Sequence, residues 1–193
     1  NDETAIAKVI GVPKQLNKIT LVKGQLPQKD NEIVVEEAYL KKNKVKIGDS
    51  LKMNDPDLTN ETYQIVGTVK SPLYFSKVHR GTTSLGDGRI DYFMYVKPSV
   101  FKQDMYSAIA LTVKGAKQEM TSQTAYLDRI SAAKKEVETI KNTQETQRFE
   151  TVYADYLSPV ALASGQVNRD SLPPAKWYIT DRQDDTGYKD FVD

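Results

Sequence analysis

The chain has no cysteine, so its chemistry would rest on carboxylates, hydroxyls, amines and the single histidine, His79. Disulfides and thiolate metal sites are excluded. His79 follows Tyr74-Phe75-Ser76-Lys77-Val78 and precedes Arg80-Gly81. No second histidine or thiol is present to share a metal or activate a nucleophile, so it reads as a loop residue without a catalytic task. Gly81 to Gly88 is glycine-rich, as a phosphate cradle would be. It lacks a following Gly-Lys-Ser/Thr and leads into a strand, which makes it a loop tip, with an interaction role still open. Asp181, Asp184, Asp185 and Asp190 cluster late in the chain. A calcium loop needs a central glycine and a closing glutamate; here the glycine is displaced and the glutamate missing, so the cluster reads as a solvated turn. Asp181-Arg182 reads as a local ion pair or cap. Glu32, Glu36 and Glu37 are the carboxylates a glycoside hydrolase would need in pairs. Glu36 and Glu37 already have an explanation as acids at a helix N-terminus. These residue types carry no catalytic, cofactor-binding or metal assignment.

Recognition is the remaining possibility. Tyr74, Phe75, Tyr92, Phe93 and Tyr95 form the main aromatic concentration. Tyr92 to Tyr95 reads as core, since strands favour such residues. Tyr74 and Phe75 are open between core and surface. The candidate interaction residues are Leu73, Tyr74, Phe75, His79 and Arg80. On the late helical segment, Lys134, Lys135 and Lys141 alternate with Glu136, Glu138 and Glu145. Glu138 to Lys141 and Glu145 to Arg148 are i, i+3 pairs, and Lys141 to Glu145 an i, i+4 pair. That is a mixed-charge solvated face, not a nucleic-acid patch.

The elements that must position these residues follow from apolar spacing and turn formers. Strands are expected at Thr4–Gly11, ended by Val12-Pro13, and weakly at Leu16–Val22 before Gly24. Leu26 to Asn31 is dense in turn formers. Glu32–Val35 reads as a strand and Glu36–Asn43 as a helix, acidic at its start and basic at its end, with Asn43 as its stop. Val45, Ile47, Leu51 and Met53 share one strand face if Gly48-Asp49 does not slip the register. Tyr63 to Val69 is a further strand closed by Ser71-Pro72. Leu73 to Ile90 is aperiodic. Asp91–Val96 is a strand apolar on both faces, Lys97-Pro98-Ser99 caps a short helix to about Met105, and Ser107–Val113 is another strand. From about Thr121 the period becomes helical: Leu127, Ile130, Lys134, Val137 and Lys141 make a thin stripe, with Ala133 and Ile140 beside it. Phe149, Val152, Tyr153 and Tyr156 extend it to Leu157, where Ser158-Pro159 stops it. Gly165–Pro174 is a polar loop and Trp177–Ile179 a final strand, in a segment near 176–181. Asp181–Gly187 is a turn, and Tyr188–Val192 the first turn of a helix that continues past the given sequence. The fold class is α+β, with a β-rich subdomain over 1–97 and a mixed α/β subdomain over 98–193 carrying the long helix at about 121–157.

At 193 residues, 39% hydrophobic and 27% charged, the chain can bury a core as one large or two small domains. A formal charge of +1 provides no global drive toward nucleic acid or anionic lipid. No apolar run approaches the ~20 residues of a membrane span, so the fragment is expected to be soluble as given and excised from something longer.

Three stretches resemble the extracytoplasmic domain of FtsX-like, MacB-type ABC transporter permeases. The first is Leu21-Val22-Lys23-Gly24-Gln25-Leu26-Pro27, then Asn31-Glu32-Ile33-Val34-Val35, a short helix and Ile47-Gly48-Asp49-Ser50-Leu51. It is similar to the family's glycine-x-x-proline turn, Asn-Glu-Ile strand and Ile-Gly-Asp turn. The second is Val66 to Tyr74 with the later Gly81, Gly86 and Gly88, similar to a loop in large permeases of Gram-positive bacteria. The third is Trp177 to Arg182 with Gly187-Tyr188, which in those permeases precedes the second transmembrane helix. The family's domain normally starts before the point matching Asn1, so an N-terminal strand and helix are expected to be missing. Gly165–Pro174 stands where such permeases can carry a helical hairpin.

The resemblance implies a MacB-type periplasmic-core-like fold, no enzyme activity and no cofactor. It implies a place on the extracellular face of the cell membrane, and as partners an ABC ATPase subunit and the permease's own transmembrane helices. Its output would be mechanotransmission: ATP-driven motion used in peptide export or sensing, lipoprotein handling or control of cell-wall hydrolases. An extracellular peptide, lipoprotein or cell-wall protein is the expected further partner, and the long helix would suit a stiff lever. A stand-alone cell-surface peptide- or glycan-binding module is the alternative, and a carboxylate hydrolase a third reading.

Overall fold

The computed structural model describes residues 5–74, 80–102, 108–164 and 176–181, with side chains of the long helix described to Thr151. The described chain forms two compact units, within residues 5–111 and 112–181. Together they are α+β: a six-stranded mixed sheet in the first unit and a long helix in the second.

In the first unit the strands are β1 (Ala7–Gly11), β2 (Thr20–Gly24), β3 (Glu32–Val35), β4 (Ser50–Lys52), β5 (Thr62–Lys70) and β6 (Tyr92–Val96), in the order β1-β6-β3-β5-β2. β1 runs parallel to β6 and β3 parallel to β5, while β3 with β6 and β2 with β5 are antiparallel. β5 is the longest strand. β3 lies along one of its sides, while β2 takes Gly67 to Lys70 and β4 takes Thr62 to Gln64. The parallel step from β3 to β5 needs a crossover, which α1 (Glu37–Asn43) and β4 supply.

Alternation along the strands divides the core between two faces. Ile33, Val35, Tyr63, Ile65, Tyr92, Met94 and Val96 pack with Tyr39 of α1 on one face; Val34, Val66, Val69, Phe93 and Tyr95 pack on the other. Every residue of β3 and β6 is buried, which is why both read as continuous apolar runs. The 3₁₀ turn Pro98–Val100 puts Val100 into the first face, and Lys102 N–H donates to the Asp57 carbonyl at 2.9 Å, so the chain stays on the sheet unit beyond β6.

α1 keeps its charge polarity, with Glu37 in the first turn and Lys41 and Lys42 in the last. It ends at Asn43, as the expected range does, with Lys44 after it in the left-handed conformation at φ 55°, and starts at Glu37 with Glu36 as its N-cap. Asn43 stays helical because its amide donates to the Tyr39 carbonyl at 3.0 Å and the Tyr92 hydroxyl at 3.4 Å. The strand expected over Val45–Met53 shrinks to β4. Gly48-Asp49 does break it: Asp49 Oδ2 accepts from Lys46 N–H at 3.0 Å, and the turn clips to Ile65 through Gly48 N–H (2.8 Å) and the Asp49 carbonyl (2.9 Å).

The Gly24 turn and Gly67 of β5 meet backbone to backbone. A Cβ on Gly67 would lie 2.6 Å from the Lys23 carbonyl oxygen and 2.7 Å from that of Gln25. One on Gly24, whose φ is +76°, would lie 2.1 Å from the Val66 carbonyl oxygen. Between Leu21 and Lys23 the β2–β5 register slips, a bulge that turns the chain into this contact.

In the second unit, α2 runs Thr124–Ser164, about 60 Å at 1.5 Å per residue. It starts three residues after the expected Thr121 and continues through Ser158-Pro159, so one missing N–H does not end it. Of the expected stripe, Ile130, Lys134, Val137 and Lys141 are half-buried along one face with Ala133 beside them, while Leu127 and Ile140 are exposed; the face continues through Glu145 and Phe149, and Val152, Tyr153 and Tyr156 lie outside the described side chains. Thr139, Thr143, Thr146 and Thr151 return their hydroxyls to carbonyls one turn earlier, so these polar groups are satisfied within the helix. Arg129 closes a bidentate pair with Glu119 below the helix start and lies against Gly115.

The expected strand at Ser107–Val113 is absent over its described part, 108–113, where Ile109 and Leu111 are 69% and 65% exposed. Residue preference cannot make a strand without a partner backbone, and none pairs here. Trp177–Ile179 forms no strand either; its segment lies along α2 instead. Thr4, Met105, the Gly165–Pro174 loop, Asp184, Asp185, Asp190, Arg182 and the Tyr188–Val192 turn lie outside the described residues. No helix among the described residues is long and apolar enough to cross a membrane.

Candidate interaction surface

The carboxylates considered for acid–base work are each held by a different partner. Glu32 is buried, and its Oε2 accepts the Gln28 and Lys29 N–H groups at 2.6 and 3.0 Å. It therefore caps the turn that leads into β3. The Gln28 amide first, then that of Lys29, holds its carboxyl below the ordinary value of 4.5. A depressed carboxyl contributes stability above its unfolded pKa and loses it as pH falls through the folded one. Glu32→Gln is thus expected to lower the urea midpoint at pH 7, with the difference shrinking below pH 4.5 as the wild-type carboxylate protonates. An equal loss at pH 7 and pH 3 would show that charge is not what Glu32 supplies.

Glu37 pairs with Lys23 at 3.5 Å on the surface. Glu36 is buried at the N-cap of α1. Its Oε1 accepts from Arg80 Nη1 and, at 3.3 Å, from Phe93 N–H; its Oε2 accepts from Arg80 Nη2 at 2.8 Å. Arg80 also donates to the Asp91 carbonyl at 2.8 Å and stands 5.6 Å from the Phe93 ring centre. The hydrogen bonding to the Glu36 carboxylate is the main cause that raises the Arg80 pKa further, so the guanidinium stays charged.

Arg80 is therefore a correction to the expected interaction set. It is only 8% exposed, and its fork is committed to Glu36. Tyr74 is anchored as well: its ring stacks on Phe93 at 4.9 Å and 14°, and burial raises its phenol pKa. The turn before it is fixed by Ser71, whose hydroxyl shares a 2.7 Å hydrogen bond with Tyr95 OH and accepts from Leu73 N–H at 3.2 Å. Leu73 is 47% exposed and is the member of the set offered to solvent. Phe75 and His79 lie outside the described residues. Tyr74 and Arg80 both converge on Phe93, so the connection between them starts and ends on the same core ring.

The glycine-rich tip closes as a narrow loop. Thr82 bridges Arg89, Thr83 N–H donates to the Gly88 carbonyl at 3.1 Å, and Leu85 projects 61% exposed. In the second unit, Tyr126, Leu127, Ile130, Ser131, Lys134 and Asp181 line a recess of about 260 Å³. Lys134 and Asp181 form an ion pair at 2.6 Å on its wall. No group of three or more histidine, aspartate or glutamate side chains among the described residues is arranged to hold a metal.

Sequence reasoning missed the Glu36–Arg80 pair. Helix-dipole logic accounted for Glu36, and loop position made Arg80 a surface residue. The available signal was a glutamate directly after Ile33-Val34-Val35: an acid continuing a fully buried strand needs a cation, though spacing does not say which one. No family model, characterised protein or solved structure matches the chain.

Proposed function

We propose that this chain is the extracytoplasmic, MacB-type domain of an ABC transporter permease, and that it converts ATP-driven movement of membrane helices into displacement outside the cell. The observation that carries the reading is how the resembling stretches pack. The Gly24 turn rests on Gly67 of β5, the Gly48-Asp49 turn clips to Ile65 of the same strand, and the Asn31-Glu32 turn enters β3 beside it. Motifs spread over some fifty residues are thus one contiguous structure around β5, which favours their being a family signature over chance turns. A 41-residue helix gives the second unit an element stiff enough to carry motion. The carboxylates held by separate partners favour this role over a hydrolase.

The 193 residues hold no cysteine, so a thiol introduced among them is the only one this domain presents. Leu85→Cys in the full-length gene product, expressed with its partner ATPase, is expected to react in intact cells with a membrane-impermeant maleimide. Its labelling rate, or that of Leu73→Cys, is expected to change when ATP turnover is trapped. A gene product without membrane spans, or a rate indifferent to the nucleotide state at both positions, would overturn the proposal; the second result would favour the stand-alone peptide- or glycan-binding module.

A further inference from the structure

Among the described residues, the segment Lys176–Asp181 meets α2 at two polar points. Trp177 N–H donates to Glu145 Oε1, and Asp181 pairs with Lys134 at 2.6 Å. Later residues of the segment meet earlier residues of the helix, so the two run antiparallel. From Lys134 to Glu145 is eleven helix positions, about 16 Å of rise. From Trp177 to Asp181 is four residues, which span at most about 14 Å when fully extended. The side chains of Glu145, Lys134 and Asp181 reach across the difference, so the segment is pinned near both ends.

Little apolar burial holds it. Ile179 and Asp181 are half-buried, while Trp177 is 40% and Tyr178 84% exposed. The side chains of the Lys134–Asp181 pair remain 33% and 22% exposed, a setting in which ion pairs are weak and screened by salt. A segment fastened by groups that can let go has two states, closed and released.

We propose that Lys176–Asp181 is a clasp on α2, fastened by Lys134 and Glu145, which releases when the Lys134–Asp181 pair is broken. Release would also open the recess that Asp181 helps to wall, freeing the half-buried face at Ile130.

Trp177 is the sole tryptophan, so its fluorescence reports the clasp alone. In the chain as given, Lys134→Gln and Asp181→Asn are each expected to raise acrylamide quenching of Trp177. A residue 40% exposed can gain at most about 2.5-fold in accessibility on local release. The exchanged pair Lys134→Asp with Asp181→Lys is expected to restore wild-type quenching. Salt is expected to move the wild type toward the single variants while leaving those variants in place, with helix content by circular dichroism constant throughout. Single variants quenched like wild type, an exchanged pair that stays open, or a wild type indifferent to salt would each overturn the clasp. None of these outcomes bears on the cell-labelling experiment, so the two proposals fail separately.

Discussion

Arg80→Leu is expected to cost the first unit about 3–5 kcal/mol, the range for stripping one partner from a buried ion pair. The loss comes less from the broken bond than from what remains. Glu36 is 7% exposed, and without the guanidinium its Oε1 keeps only the Phe93 N–H while Oε2 loses its Arg80 donor. Glu36→Leu leaves the complementary orphan: Arg80, 8% exposed, with the Asp91 carbonyl as its remaining described acceptor. The double variant removes both charges and is expected to recover most of the loss, since an apolar pair of similar volume is often as stable as a buried ion pair. Native-state hydrogen exchange of the β3 and β6 amides in the four proteins, chosen because both the only tryptophan and the long helix lie in the other unit, yields the coupling energy. Additive losses would mean that Glu36 and Arg80 act independently.

That pair also marks where sequence stops being informative. β3 and β6 were legible because both faces of each are buried, so their residues form uninterrupted apolar runs between turn formers. α1 was legible from the charges at its two ends, and the α2 stripe from its three- and four-residue steps. What failed depended on partners far along the chain. Ala108–Val113 has the composition of a strand but no described backbone to pair with. Trp177–Ile179 also reads as a strand, yet its Trp177 N–H goes to the side chain of Glu145, 32 residues earlier. Gly48-Asp49 leaves strand geometry because Ile65 accepts from it and donates to it. Glu36 and Arg80 are 44 residues apart, and no local pattern encodes that separation. The site followed the same division: the exposure of Leu73 followed from a loop position, whereas the commitment of Arg80 did not.

The glycine contact gives the second large effect, and a series of three positions separates its causes. At Gly48 φ is +101° with open space where a Cβ would go, so Gly48→Ala carries backbone strain alone, about 1–3 kcal/mol. Gly67 has no positive φ, but its Cβ would strike two carbonyl oxygens; Gly67→Ala therefore carries overpacking alone, at the upper end of about 1–3 kcal/mol because backbone, unlike a side-chain end, cannot swing aside. Gly24→Ala carries both, with φ +76° and a contact of 2.1 Å, and is expected to cost about 3–5 kcal/mol. Gly24→Ala combined with Gly67→Ala should cost less than the sum, because both methyl groups push β2 away from β5 at the same place and the first separation makes room for the second. Urea midpoints of the three single variants and the double variant measure this directly. A Gly67→Ala loss smaller than that at Gly48, or strict additivity of Gly24 and Gly67, would mean that the Gly24 turn does not touch β5 at Gly67. The packing of the resembling stretches around β5, on which the permease proposal leans, would then lose its keystone.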